Sequence, residues 1–128
     1  MIALSKLHEK YTLKLWLIGT GYMGIEYAKV LKYLGKDFNV IGRGEKSSNK
    51  FKAELNIIPF KNGLKKALEE YECPNEAIIA VSVDELFNCT LELLKRGCKK
   101  ILVEKPAGLT INEIKTIENV SKNNNAKV

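Results

Sequence analysis

Histidine occurs once in this chain, at His8, and arginine only twice, at Arg43 and Arg96. Three cysteines, Cys73, Cys89 and Cys98, make an odd number and form no C-x-x-C pair. With a single imidazole and no paired thiols, a structural zinc site is not expected. The cysteines read instead as reduced, partly buried thiols of a cytoplasmic protein. No apolar run approaches the ~18 residues of a membrane span, so no membrane partner is expected. Lys6, His8, Glu9 and Lys10 interrupt the N-terminus, which therefore lacks a signal-peptide pattern. Arginine scarcity matters in another way. The chain carries 19 lysines and a net charge of +6, but the lysines are scattered. Nucleic-acid binders concentrate their basic residues and use arginine for forked contacts, so no nucleic-acid partner is expected. A solvated basic surface explains the charge, and a mild attraction for anionic ligands is compatible with it.

What remains is ordinary globular material. The chain has 128 residues, 45% hydrophobic and 28% charged, which suits one compact domain. Residues 1–11 form a lead-in segment, either a short helix or a loose tail. Mostly apolar stretches at 13–18, 38–41, 76–83 and 99–104, with a marginal one at 57–60, read as strands. Helical spacing fills the intervals. Over 22–34, Glu26, Lys29 and Lys32 leave a narrow wet stripe on an otherwise apolar cylinder, and Gly35 offers a left-handed stop. Phe51 and Leu55 stand one turn apart. Asn62 is placed to cap a helix whose Leu64, Ala67, Leu68 and Tyr71 share a face. Residues 84–96 set Glu85, Asn88, Glu92 and Lys95 on one side and end at Gly97. Thr110 and Glu113 in "TINE" match a capping box, after which Ile111, Ile114, Ile117 and Val120 mark a buried face.

Strands that are apolar on both faces and alternate with helices imply an α/β fold: a doubly wound, mostly parallel sheet between two helical layers. The final "AKV" reads as the start of a further strand. The chain is therefore expected to be the front portion of a longer two-domain protein, a naturally short protein being the alternative. In the first case the sheet edge beside 99–104 would expose unpaired backbone groups and favour homo-oligomers.

The segment "KLWLIGTGYMG" carries the chemistry. Gly19-Thr20-Gly21-Tyr22-Met23-Gly24 is G-x-G-x-x-G, directly after a predicted strand and opening a predicted helix, which is the context that gives the motif meaning. Gly19 allows a tight turn, a bare Gly21 lets backbone approach a pyrophosphate, and Gly24 lets the helix pack on the strand. The helix N-terminus offers free N–H groups and a partial positive charge. About 20 residues on, a ribose-binding carboxylate is usual in NAD sites. Gly42 and Arg43 stand there instead, followed by Lys46, Ser47 and Ser48, of which Ser48 is also a candidate helix cap. A guanidinium suits a 2′-phosphate, so NADP is expected ahead of NAD. Arg43 stacked on the adenine, and Glu45 as a rival ribose ligand, are the alternatives. Glu104-Lys105-Pro106 ends the 99–104 strand, where open α/β sheets bind ligands. Lys105 is there as a candidate catalytic residue, or the turn is merely a strand end with a surface lysine. A cis bond before Pro106 is compatible with such a corner.

The combination of "GTGYMG", "AIIAVSVDELFNCTLELLKRG" and "CKKILVEKPAGLTINEI" resembles the glucose–fructose oxidoreductase/inositol dehydrogenase (Gfo/Idh/MocA) family over nearly the whole chain. The resemblance implies an N-terminal Rossmann domain, followed in family members by a second α/β domain. It implies hydride transfer between a nicotinamide cofactor and a hydroxyl or carbonyl carbon of a sugar, cyclitol or nucleotide-sugar. It places Gly19, Gly21 and Gly24 on the pyrophosphate with the Tyr22 and Met23 amides. It places Val81, Ser82 and Val83 along the cofactor, and Glu104, Lys105 and Pro106 beside the nicotinamide. Two departures are visible. Ser82-Val83 replaces the family's Thr-Pro and Phe87 stands where a histidine often lies, while the half that carries the substrate pocket is absent from this sequence. A non-catalytic nucleotide-binding regulatory module is the alternative reading.

Overall fold

The computed structural model describes residues 10–128. The lead-in expected over 1–11 therefore falls mostly outside the described residues. Four strands form the sheet: β1 (Leu15–Ile18), β2 (Asn39–Ile41), β3 (Glu76–Ile79) and β4 (Lys100–Val103). They lie in the order β2-β1-β3-β4 and every pairing is parallel. The helices between and after them are α1 (Tyr22–Tyr33), α2 (Glu45–Leu55), α3 (Leu64–Glu70), α4 (Val83–Lys95) and α5 (Ile111–Asn123).

Alternate strand residues feed two cores. Leu17 and Val40 point to one side, where Ala28 and Leu31 of α1 and Phe51 and Leu55 of α2 cover them. Trp16, Ile18, Ile41, Ala77, Ile79 and Ile101 point to the other, under α3, α4 and Ile117 of α5. This is the three-layer, doubly wound arrangement that continuous apolar strands require. Tyr11, Phe60 and Tyr71 close the lower margin of the second core edge to face, with ring centroids 5.4–5.8 Å apart.

The strands are shorter than their apolar runs. Leu13 is exposed, and its N–H donates to Asn39 Oδ1 at 2.8 Å. Beyond Ile79 the chain makes one more ladder contact, Ala80 N–H to Ile18 O at 2.8 Å, and turns into α4. The run at 57–60 is no strand. Only Phe60 pairs, in a parallel bridge to Ile41, because Pro59 has no N–H to donate. At the opposite edge Lys127 bridges Lys100 in parallel. Its N–H donates to Lys99 O at 2.8 Å and its carbonyl accepts from Ile101 N–H at 2.9 Å. The final "AKV" thus does add to the sheet, and the edge beside β4 is covered at its start.

Helix ends follow local chemistry. Gly35 and Gly97 take positive φ (+68° and +101°) just past α1 and α4, the left-handed stops that only glycine reaches without strain. Thr110 Oγ1 accepts from Glu113 N–H at 3.1 Å, and the Glu113 carboxylate accepts from Leu109 N–H at 2.6 Å. The capping box is therefore present, its return bond shifted one residue. Two expected caps are not formed. Gly44 precedes α2 and Gly63 precedes α3, so Ser48 lies within α2 and Asn62 lies before the α3 cap.

Two helix faces also differ from their periodicity. Val30, Tyr33 and Leu34 of α1 are exposed; the helix buries Gly24, Ile25, Ala28 and Leu31, with Tyr27 partly buried against the same core. In α5 only Ile117 is buried, and Ile111 is 73% exposed. That helix packs against α4, and its first turns are mostly exposed among the described residues.

The thiols are all free. Cys98 is buried, and its Sγ lies 3.5 Å from Asn75 O. Interaction with Cys98 holds the Cys73 thiol below the ordinary range, against the opposing effect of burial.

Candidate functional site

Parallel strands end on one side of a sheet. The loops after β1, β2, β3 and β4 therefore all leave from the same edge: Gly19–Gly21, Gly42–Gly44, Ala80–Ser82 and Glu104–Pro106. The order β2-β1-β3 puts a change of winding direction between β1 and β3, the crevice where open α/β sheets bind ligands. A cavity of about 1070 Å³ opens there.

Each glycine of the loop has a distinct reason. Gly19 has φ +126°, and a Cβ there would lie 2.2 Å from Ala80 O. Its N–H donates to Ile41 O at 2.8 Å, so the turn is pinned between the ends of β2 and β3. Gly24, in the first turn of α1, would drive a Cβ to 2.1 Å from Gly19 O; close helix packing depends on its absence. Gly21 is the opposite case. A Cβ there would meet nothing within 4 Å, so no contact among the described residues requires glycine. Its backbone borders the cavity.

Gly21 is also the α1 N-cap, with no side-chain cap bond and no acid in the first turn. Free N–H groups at an uncapped helix start are an anion site when something anionic faces them. Tyr22 and Met23 are exposed there and border the cavity. Thr20 is buried, and its Oγ1 donates to Ser47 Oγ at 2.9 Å, tying the loop to the first turn of α2. Ser47 Oγ in turn lies 3.4 Å from Arg43 O.

The second wall comes from the β2 end. Gly44 N–H donates to Lys61 O and Gly63 N–H to Gly42 O, both at 2.9 Å. These bonds stitch the Arg43 turn to Asn62 and Gly63, which brings Lys65 and Lys66 of α3 to the cavity. Sequence patterning missed this wing, although Gly63 at φ +87° is the kind of residue that marks a turn. Arg43 reaches across to the third wall, where Glu85 Oε1 of α4 lies 3.3 Å from its Nη1. Glu45, the rival ribose ligand expected from sequence, instead accepts from Lys61 Nζ at 2.7 Å, and this pairing holds its carboxyl below the usual range. Cys89, also on the third wall, has its thiol pushed up to about 11, chiefly by burial.

Of the residues singled out from sequence, Gly19, Thr20, Gly21, Tyr22, Met23, Arg43, Ser47, Val81 and Ser82 border this one cavity. Gly24 lies behind it, and Val83 opens α4 beside it. Ser48 does not border it. That residue is 4% exposed, its Oγ has no hydrogen-bond partner among the described residues, and it borders a different cavity on the Tyr11 and Phe60 side. Being four residues into α2, it faces the helix's buried side. Glu104, Lys105 and Pro106 leave the same sheet edge two strands from β1, outside the cavity lining. The Lys105–Pro106 bond is cis. Lys105 is exposed, and Glu104 is near enough to Tyr27 to help burial raise its phenol.

A parallel sheet, a glycine turn at its crevice and an uncapped helix start define a dinucleotide-binding α/β fold. Residues 13–128 match the family described as "Oxidoreductase family, NAD-binding Rossmann fold" (GFO_IDH_MocA). The chain belongs to that family. Comparison with proteins of curated function finds no match. Among solved structures, biliverdin reductase from Synechocystis sp. PCC 6803, in complex with biliverdin and NADP+, is 19% identical with a TM-score of 0.74. The match covers 88% of this chain and 35% of that one. The WlbA dehydrogenase from Bordetella pertussis, in complex with NADH and UDP-GlcNAcA, is 12% identical with a TM-score of 0.77, covering 91% and 36%. A super-repressor mutant of Gal80p from Saccharomyces cerevisiae is 12% identical with a TM-score of 0.67, covering 91% and 33%. At these identities the likeness is one of fold. The chain spans about a third of the length of each of these structures.

Proposed function

We propose that this chain binds a nicotinamide dinucleotide, NADP(H) ahead of NAD(H), as the cofactor domain of an oxidoreductase. The substrate class we infer is a sugar, cyclitol or nucleotide-sugar bearing the hydroxyl or carbonyl carbon that exchanges hydride. The observation that carries the reading is Gly21: open space where a side chain would stand, at the uncapped start of α1, on the wall of a large cavity. That cradle fits a pyrophosphate. Gly19, Thr20, Gly21, Tyr22 and Met23 would hold it, with Gly24 allowing the close approach of α1. Arg43 and Ser47, rather than Ser48, would take the 2′-phosphate. Val81, Ser82 and Val83 would run alongside. The bound cofactor supplies or accepts hydride. Lys105, with Glu104 and Pro106 at the β4 corner, would then hold or move the proton that travels with it, or stabilise an alkoxide by charge. Pairing of two copies along the part of the β4 edge beyond the Lys127 bridge belongs to the same proposal.

Fluorescence titration with NADPH and NADH tests the cofactor assignment. Wild-type protein is expected to bind NADPH more tightly, and Arg43→Ala to lose about 10-fold for NADPH while barely changing NADH, the scale of one charge-assisted contact. Equal affinities that ignore the substitution would remove the 2′-phosphate assignment.

A second reading, a non-catalytic nucleotide-binding regulator, is favoured by one observation: a super-repressor mutant of Gal80p shares this fold. The two separate on the gene. An open reading frame that continues past Val128 for about 180–250 residues, the size of a further domain, supports the enzyme; a stop codon there supports the regulator.

A further inference from the structure

The ribose end of the cavity has an acid, but from an unexpected wall. The turn after β2 carries Gly42 and Arg43, and its nearby Glu45 is tied to Lys61. Across the cavity, the first turn of α4 brings the Glu85 carboxylate to 3.3 Å from the Arg43 guanidinium. The side chain of Glu85 is 34% exposed and that of Arg43 76%. Both groups act on the Cys89 thiol one turn along α4, Glu85 raising it and Arg43 lowering it, and all three border the cavity.

This inference rests on the dinucleotide reading above. A 2′-phosphate must draw Arg43 away from Glu85 and then sit beside a carboxylate. A 2′-hydroxyl has no such conflict, since it can donate to Glu85 while Arg43 stays paired. We propose that Glu85 is a specificity-determining residue: a ribose-side carboxylate supplied by α4 instead of β2, which holds down the preference for NADP(H) and lets NAD(H) compete. The size of the effect follows from two small factors. An exposed ion pair is worth a factor of about 1.4 to 5 in an equilibrium. Repulsion between like charges about 4 Å apart in water adds about a further fivefold.

The test is a titration of wild type, Glu85→Gln and Arg43→Ala with NADPH and NADH, with thermal melts of each. Glu85→Gln is expected to tighten NADPH about 7- to 25-fold, the product of those two factors, to weaken NADH about twofold or more, and to melt within a few degrees of wild type. Arg43→Ala is expected to move the ratio the other way. If both cofactors bind and Glu85→Gln leaves their ratio unchanged, the specificity role of Glu85 is overturned. If neither cofactor binds wild type or either variant although all three melt cooperatively, the dinucleotide reading itself fails and this inference with it.

Discussion

Gly21→Ala is expected to weaken dinucleotide binding on the order of 100-fold, about 2.7 kcal/mol, while leaving the fold nearly as stable as before. Gly19→Ala and Gly24→Ala should do the reverse kind of damage. The difference lies in what a methyl group meets. At Gly21 it meets no protein atom within 4 Å, and the backbone there has φ −81°, open to any residue. The cost to folding is then that of a poorer helix cap, about 1 kcal/mol or less. The methyl would instead occupy the space in which backbone must approach the pyrophosphate. At Gly19 the methyl would collide with the Ala80 carbonyl, from a φ that disfavours side chains. Overpacking and backbone strain each cost about 1–3 kcal/mol, so a loss of about 3 kcal/mol or more is expected, lowering Tm on the order of 10 °C. At Gly24 helix propensity would favour alanine by about 1 kcal/mol. The collision is with the Gly19 carbonyl, which cannot shift without opening the turn, so destabilisation should still win. Thermal melts paired with cofactor titrations separate the cases. A Gly21→Ala protein that binds like wild type would show that the bare backbone there is not the cradle.

Phe51→Ala should be the most damaging single change to the α2 layer, at about 3–5 kcal/mol. Helix α2 buries only Ser48, Phe51 and Leu55, and Phe51 is the largest of them and fully inaccessible. Removing it detaches α2 from Leu17 and Val40. Small domains have only about 5–15 kcal/mol in all, so the variant should sit near its unfolding threshold. Trp16 reports on the consequence because it is the one tryptophan in the chain and lies in the core on the other face of the sheet. Loss of its fluorescence should coincide with loss of helical circular dichroism if both faces form one cooperative unit. A melt unchanged within about 2 °C would mean that α2 is held by something other than this side chain. Ser47, and with it Thr20, should lose its place as α2 loosens, so cofactor affinity should fall alongside stability.

Much of the architecture was legible before any coordinates. The glycine spacing between an apolar run and a helical stretch named the turn, and the structure gives each of its three glycines a separate steric reason. Apolar strands predicted burial on both faces, which β1 and β2 largely show, whereas Leu102 of β4 is 56% exposed. The "TINE" box, Gly35 and Gly97 marked helix ends, because capping involves residues a few positions apart. Misreadings fell where a distant neighbour decides, or where a nearby glycine takes over a cap. Ile111 and Ile114 keep perfect helical spacing and stay exposed, while α5 packs against α4. Asn62 and Ser48 have capping side chains, but glycines at positive φ begin those helices. Strand lengths were overestimated because an apolar residue does not reveal whether a partner strand reaches it.

The succession of strands and helices along the chain and the glycine turn were written in local residue patterns, because short-range hydrogen bonding and periodicity dictate these. Which acid faces Arg43 depends on the packed fold. Glu45 is two residues away and turns to Lys61, whereas Glu85, 42 residues away, is the one it meets. Charge pairing across a cavity depends on where two separately formed walls come to rest, and no local pattern encodes that distance.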